Sequence, residues 1–119
     1  MNTINEIADA VHANAVAHGF HDAQKTDDDF INYQLNNAHG ELCELHDAWR
    51  AGKLHHPCDK AEKMMELGLS PLSCLEEEEA DTIIRCLDRC RRLGVDIAMA
   101  IKIKHAYNIS RPFMHGKKS

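Results

Sequence analysis

The chain is predicted to be all-α, a bundle of four to five helices. Three observations carry this. Apolar residues recur at helical spacing, capping residues precede those runs with glycines behind them, and no stretch pairs with another as a strand hairpin. The first element opens with Thr3 and Glu6 at capping-box spacing. Ile4, Ile7, Ala8, Val11 and Ala15 then keep a helical period until Gly19. After the polar stretch HDAQKTDDD, a second helix is expected over 28–51. Phe30, Ile31, Leu35, Ala38, Leu42, Leu45 and Trp49 mark its inner face, and Gly52 closes it.

The segment KLHHPCDK is a linker broken by Pro57, and AEKMMELGL makes a short third helix or a single turn. The strongest helical signal is SPLSCLEEEEADTIIRCLDRCRRLG. Ser73 and Glu76 form a second capping box, acidic residues crowd the first turns where the helix dipole favours them, and Gly94 stops the run. A last helix, capped by Asp96, covers IAMAIKIKHAYN. Residues 109–119 are expected to be an irregular tail containing Pro112, within one domain spanning 1–119.

At 119 residues the chain has room for one modest core, and with aromatics at 5% that core must be largely aliphatic. A net charge of −5 argues against a nucleic-acid backbone as partner, since basic groups cluster only locally. Five cysteines, without a CxxC pair, are expected as free and mostly buried thiols in a reducing cytoplasm. Glu6 and Asp9 interrupt the first apolar positions, so no signal peptide is expected, and no apolar run approaches the length of a membrane span.

Two acidic pairs stand out. Glu41 and Glu44 lie three apart on the second helix, and Glu78 and Asp81 repeat the spacing on the fourth. Side chains three apart share a helix face, so each pair can converge on one ion. If the two helices pack antiparallel, four carboxylates meet, and a hard divalent cation such as Mg²⁺ or Mn²⁺ would relieve their repulsion. The alternative is a pair of solvated acidic faces. Against it, Glu41 follows the apolar-stripe residue Ala38 by three, and Asp81 precedes Ile84 by three. A di-iron bundle is disfavoured because no glutamate is followed by histidine at the third position.

Metal-bound acids suit a phosphate substrate. Lys104 and Asn108 share a face of the last helix and Arg111 follows it; solvated cations are the plainer reading. His115 stands near Lys117 and Lys118 and is a further phosphate candidate. His55, His56 and Cys58 lack a second ligand cluster and read as linker residues rather than zinc ligands. Phe20, Phe30, Trp49 and Tyr107 could stack on a base, with His39 or Asn36 at its edge; for Trp49, core packing is the competing expectation.

The segments GELCELHDAWRAG, EEEADTIIRCLDRCRRLGVD and KHAYNISRP together resemble the MazG-like nucleotide pyrophosphohydrolases, an all-α family related to the dimeric dUTPases. The resemblance covers about residues 30–112. It implies that Glu41, Glu44, Glu78 and Asp81 hold Mg²⁺ and carry catalysis, with Glu44 a candidate for orienting or deprotonating water. It assigns Lys104, Asn108 and Arg111 to phosphate or sugar. It further implies hydrolysis of nucleoside triphosphates, deoxynucleotides foremost, to monophosphate and pyrophosphate, in a homodimer or dimer of dimers. Gly40 stands where many members have another glutamate, which leaves the number of metals and the base open. Two alternatives remain: a helical protein-interaction module, and a dUTPase-like enzyme restricted to one nucleotide. Two further stripes, Ile83–Leu87–Cys90–Leu93 and Ile97–Ile101–His105, exceed what one small bundle is expected to cover.

Overall fold

The computed structural model describes residues 3–113 and has five helices: α1 (Ile4–Ala17), α2 (Asp27–Arg50), α3 (Ala61–Glu66), α4 (Cys74–Arg92) and α5 (Ile97–Ser110). Their starts follow from side chains that accept the otherwise orphaned first-turn N–H groups. Thr3 accepts from Glu6 N, Thr26 from Asp29 N, Ser73 from Glu76 N and Asp96 from Met99 N. At Ser73 the box is complete, because Glu76 Oε1 accepts from the Ser73 backbone at 2.9 Å. The α2 start was set at 28 by sequence; the Thr26 cap draws Asp27 in. Gly94 ends α4 at φ 74°, in the left-handed region where a side chain would be strained. The last helix carries on through Ile109 and Ser110, two positions expected to be tail, before Arg111 turns extended ahead of Pro112. His115, Lys117 and Lys118 lie outside the described residues.

α4 is the central element, packed along both α1 and α2, while α5 leans on α1. α2 and α4 run antiparallel. From one end of the pair to the other, Asp27 meets Arg92, Gln34 meets Asp88 and Glu41 meets Arg85. Asn5 joins α1 to the start of α5 by bonding Asp96 at 3.0 Å and accepting from Ala98 N at 3.1 Å. The linker is tied down by backbone bonds: Cys58 N donates to Leu72 O, Cys74 N to His56 O and Leu75 N to Leu54 O, each at 2.9 Å. This closes the α3 excursion and fixes Cys58 and Lys60 beside the start of α4.

The apolar core is thin. Among the described residues its buried members are Ala8, Phe30, Cys58, Ala61 and Leu87. Truncating a side chain as buried as Phe30 costs about 3–5 kcal/mol, a large part of a small domain's stability. Two expectations are corrected here. Of the five cysteines only Cys58 is buried; Cys43 is exposed and the others lie between. On α2, Leu35, Leu42 and Trp49 do not face inward but are 46%, 53% and 60% exposed. The face turned toward α4 instead carries Phe30, Gln34, Glu41 and Leu45. Leu87 is core, whereas Ile83 and Ile101 are largely exposed. No helix among the described residues is long and apolar enough to cross a membrane.

Candidate metal centre

Antiparallel packing of α2 on α4 brings the acidic pairs together. One carboxylate oxygen from each of Glu41, Glu44 and Glu78 lies within 4.8 Å of the others. Asp81, one turn along α4 from Glu78, is half-buried beside them, and its carboxyl is pushed upward by burial and then by the charge of Glu41. Glu78 is pushed up to about 8, first by burial, then by its hydrogen bond to Glu41, then by the charges of Glu44, Glu41 and Glu77. Its Oε2 is buried and has no hydrogen-bond partner, and an oxygen of Glu78 lies within 4.8 Å of oxygens of Glu41 and Glu44, acceptors like itself. A proton or a cation would satisfy that oxygen; a further carboxylate cannot.

Two cations flank the carboxylates. Lys60 Nζ binds Glu77 Oε1 at 2.7 Å. The Cys58 thiol and Lys60 together hold Glu77 below the usual carboxylate range, and the Cys58 thiol is raised chiefly by the same bond. Arg85 Nε reaches from α4 to Glu41 Oε1 at 2.9 Å. Glu77, Lys60 and Arg85 were not singled out by sequence. Glu77 is lost within the glutamate run at 76–79, and its partners lie on segments whose return to α4 the spacing does not reveal.

The acids lie between two cavities. One, of about 460 Å³, opens between α1, α2 and α4 and is lined by Phe20, Tyr33, Gln34, Asp81, Arg85 and Asp88 among others. The other, of about 330 Å³, is bounded by Glu44, Cys58, Lys60, Glu77 and Glu78. Of the aromatics proposed for base stacking, Phe20 alone lines the cavity that holds Asp81. Phe30 is buried beneath the His21 ring and the Arg92 guanidinium. Trp49 is not core but exposed. It borders an apolar groove with Leu42, Leu45, His46, Leu54 and Leu75. Lys104 and Asn108 line a shallow groove whose walls are all α5 residues, and Lys104 and Arg111 both lie over Tyr107, at 4.9 and 5.5 Å from its ring. Among the described residues, Lys104 and Asn108 line a groove other than the two cavities that the acids border. Gly40 has open space where a Cβ would stand, so local packing does not demand glycine there.

A second group, His12, His21 and Asp88, also has ligand atoms close enough to share an ion. Asp88 is buried, and its oxygens take His12 Nδ1 at 2.7 Å, His21 Nε2 at 2.9 Å and Gln34 Nε2 at 3.4 Å. Arg92 Nη1 approaches His21 Nδ1 at 3.3 Å. Guanidinium only donates, so Nδ1 accepts and the His21 proton resides on Nε2, facing Asp88. The trio forms a hydrogen-bond network that satisfies a buried carboxylate at the junction of α1, α2 and α4, and the same ligand atoms could hold an ion if the His21 proton left. The signal for it was Asp88, seven residues after Asp81 on one face of α4.

Comparisons with protein-family models, with curated proteins and with solved structures found no match to this chain.

Proposed function

We propose that this protein is a metal-dependent hydrolase that cleaves nucleoside triphosphates, deoxynucleotides foremost, to a monophosphate and pyrophosphate. The observation that carries the proposal is Glu78, a carboxylate turned toward Glu41 and Glu44 with a buried oxygen that no donor satisfies. An acidic surface serving solubility alone has no reason to bury carboxylates against one another, because each loses hydration and gains repulsion. The ordered pairs Glu41–Glu44 and Glu78–Asp81 on two packed helices are also the pattern of the MazG-like pyrophosphohydrolases, the family this chain resembles.

The donor set fits Mg²⁺, with Mn²⁺ an alternative, since it is all carboxylate oxygen. Glu41, Glu44, Glu78 and Asp81 would hold the ion, which when bound polarises phosphoryl oxygens and acidifies a water ligand. Glu44 is the exposed member of the set, and in this scheme it would orient a water or take its proton. Glu78 would give up its proton on loading. The cavity of about 460 Å³ beside Asp81 has room for a base, with Phe20 and Tyr33 as stacking partners. Lys104, Asn108 and Arg111 contribute to phosphate binding in this scheme only from the α5 of another subunit.

A homodimer, or a dimer of dimers, is part of the proposal. The surface area is 8724 Å², about a third above the ~6,500 Å² expected of a folded monomer of 13.4 kDa. Leu35, Leu42 and Trp49, seven apart, form an exposed apolar line on α2 suited to a second copy. That line also favours the interaction-module alternative, which has no need of buried acids. Pyrophosphate release from a panel of triphosphates, with and without chelator, tests the proposal. Metal-dependent release is expected; turnover that survives chelation, or no release from any triphosphate, overturns it. Release from a single nucleotide would favour the dUTPase-like variant.

A further inference from the structure

We infer that Arg85 is an exchangeable counter-ion: it neutralises Glu41 while the carboxylate centre is empty of metal and turns to the substrate's phosphates once a divalent cation takes its place. The proposal rests on the reading of the carboxylates as a metal centre. It answers a difficulty that the fold creates. Of the cations expected to meet phosphate, Lys104 is on α5 and Arg111 directly follows it, both over the Tyr107 ring, and α5 packs on α1. Among the described residues, the cations paired with these acids are Lys60 and Arg85.

The two differ in what they would leave behind. Lys60 binds Glu77, whose side chain is only 9% exposed and which lies outside the Glu41–Glu44–Glu78 trio. If Lys60 left, Glu77 would remain a buried charge without a compensating cation, which is strongly unfavourable. Arg85 binds Glu41, a member of the trio. If Arg85 left while an ion occupied the trio, Glu41 would keep a positive partner. Arg85 also has somewhere to go. Its side chain is 35% exposed against 12% for Glu41, and it lines the cavity that Asp81 borders. Guanidinium is suited to phosphate because its fork presents parallel N–H donors. An exchange of this kind couples the two ligands. Without metal, Glu41 is neutralised by a group of the protein itself, and that group becomes available to the anion when metal is in place.

The two halves of the role predict opposite changes on removing the charge. The test is calorimetry on Arg85→Gln, which is neutral but can still donate to Glu41. Titrated with Mg²⁺ alone, the variant should bind severalfold more tightly than wild type, because no guanidinium competes for Glu41. Titrated with inorganic pyrophosphate at saturating Mg²⁺, it should bind about tenfold more weakly. A residue that merely buttresses α2 against α4 would weaken both. Losses in both titrations, or unchanged pyrophosphate binding, overturn the proposal. Should Arg85→Gln not fold, Arg85→Lys keeps the charge and loses the fork, so Mg²⁺ binding should stay near wild type while pyrophosphate binding weakens; an unchanged pyrophosphate isotherm overturns it there too. Absence of any Mg²⁺ binding by wild type would instead refute the carboxylate centre, and this role with it.

Discussion

The two faces of α2 depart in part from the usual amphipathic rule. The face against α4 carries Gln34 and Glu41, both shielded from water, while Leu35, Leu42 and Trp49 face outward. In an ordinary bundle helix the apolar stripe is turned in and the charges out. A helix that turns polar groups inward pays a desolvation cost, which is tolerated where those groups do chemistry. One that turns apolar groups outward leaves a surface for something else to cover. The inner face of α2 thus bears on the chemistry of the protein and the outer face on its assembly, and the two should be separable by substitution.

The largest expected effect is on the inner face. Glu41→Gln and Asp81→Asn should each lower triphosphate turnover about a hundredfold or more while circular dichroism shows an unchanged helical fold. Wild-type rates in both would detach the acids from function. On the outer face, Leu42→Glu combined with Trp49→Glu should shift sedimentation from twice the 13.4 kDa chain mass, or a multiple of it, to a single chain, with Mg²⁺ binding retained. Loss of metal binding along with assembly would show the faces to be one functional unit. A wild-type chain that sediments as a monomer would refute the assembly.

A subtler effect concerns stability without metal. Glu78 is held near 8 in the folded chain, well above the ordinary 4.5. The folded state therefore keeps a proton that the unfolded state has lost, so stability falls as pH rises from about 4.5 to 8. The raised Asp81 acts in the same direction. Glu78→Gln should flatten that decline and raise the melting temperature of the metal-free protein at pH 8, with each kcal/mol recovered worth about 4 °C. A variant that melts lower than wild type at that pH would contradict the burial of an uncompensated charge. The smallest effect is expected from Lys104→Ala, a few-fold rise in KM in the triphosphate assay with metal binding unchanged. A loss on the scale of Glu41→Gln would bring α5 into the same centre.

What could be read from the sequence was local. The caps at Thr3, Ser73 and Asp96, the stop at Gly94 and the spacing of the acidic pairs each need only a few neighbouring residues. The meeting of the pairs was conditional on α2 and α4 packing antiparallel, which local spacing does not determine. What escaped was pairing across the chain. Asp88 is satisfied by His12, 76 residues away, and Glu41 by Arg85, 44 residues away. The α2 stripe was misjudged because apolar periodicity shows that a face wants covering, not whether the cover belongs to the same chain. Leu35, Leu42 and Trp49 recur every seventh residue, and among the described residues they stay exposed.

The central claim is that the acids of α2 and α4 form a cation centre whose own proton must leave on loading. Calorimetric titration of the wild-type protein with Mg²⁺ between pH 6 and 8, repeated in buffers of different ionisation enthalpy, addresses it directly. Because Glu78 holds its proton up to about 8, binding should release a proton and tighten by up to about tenfold per pH unit over that range. Binding that is absent, or that is equally tight at both ends of the range with no proton released, would contradict it.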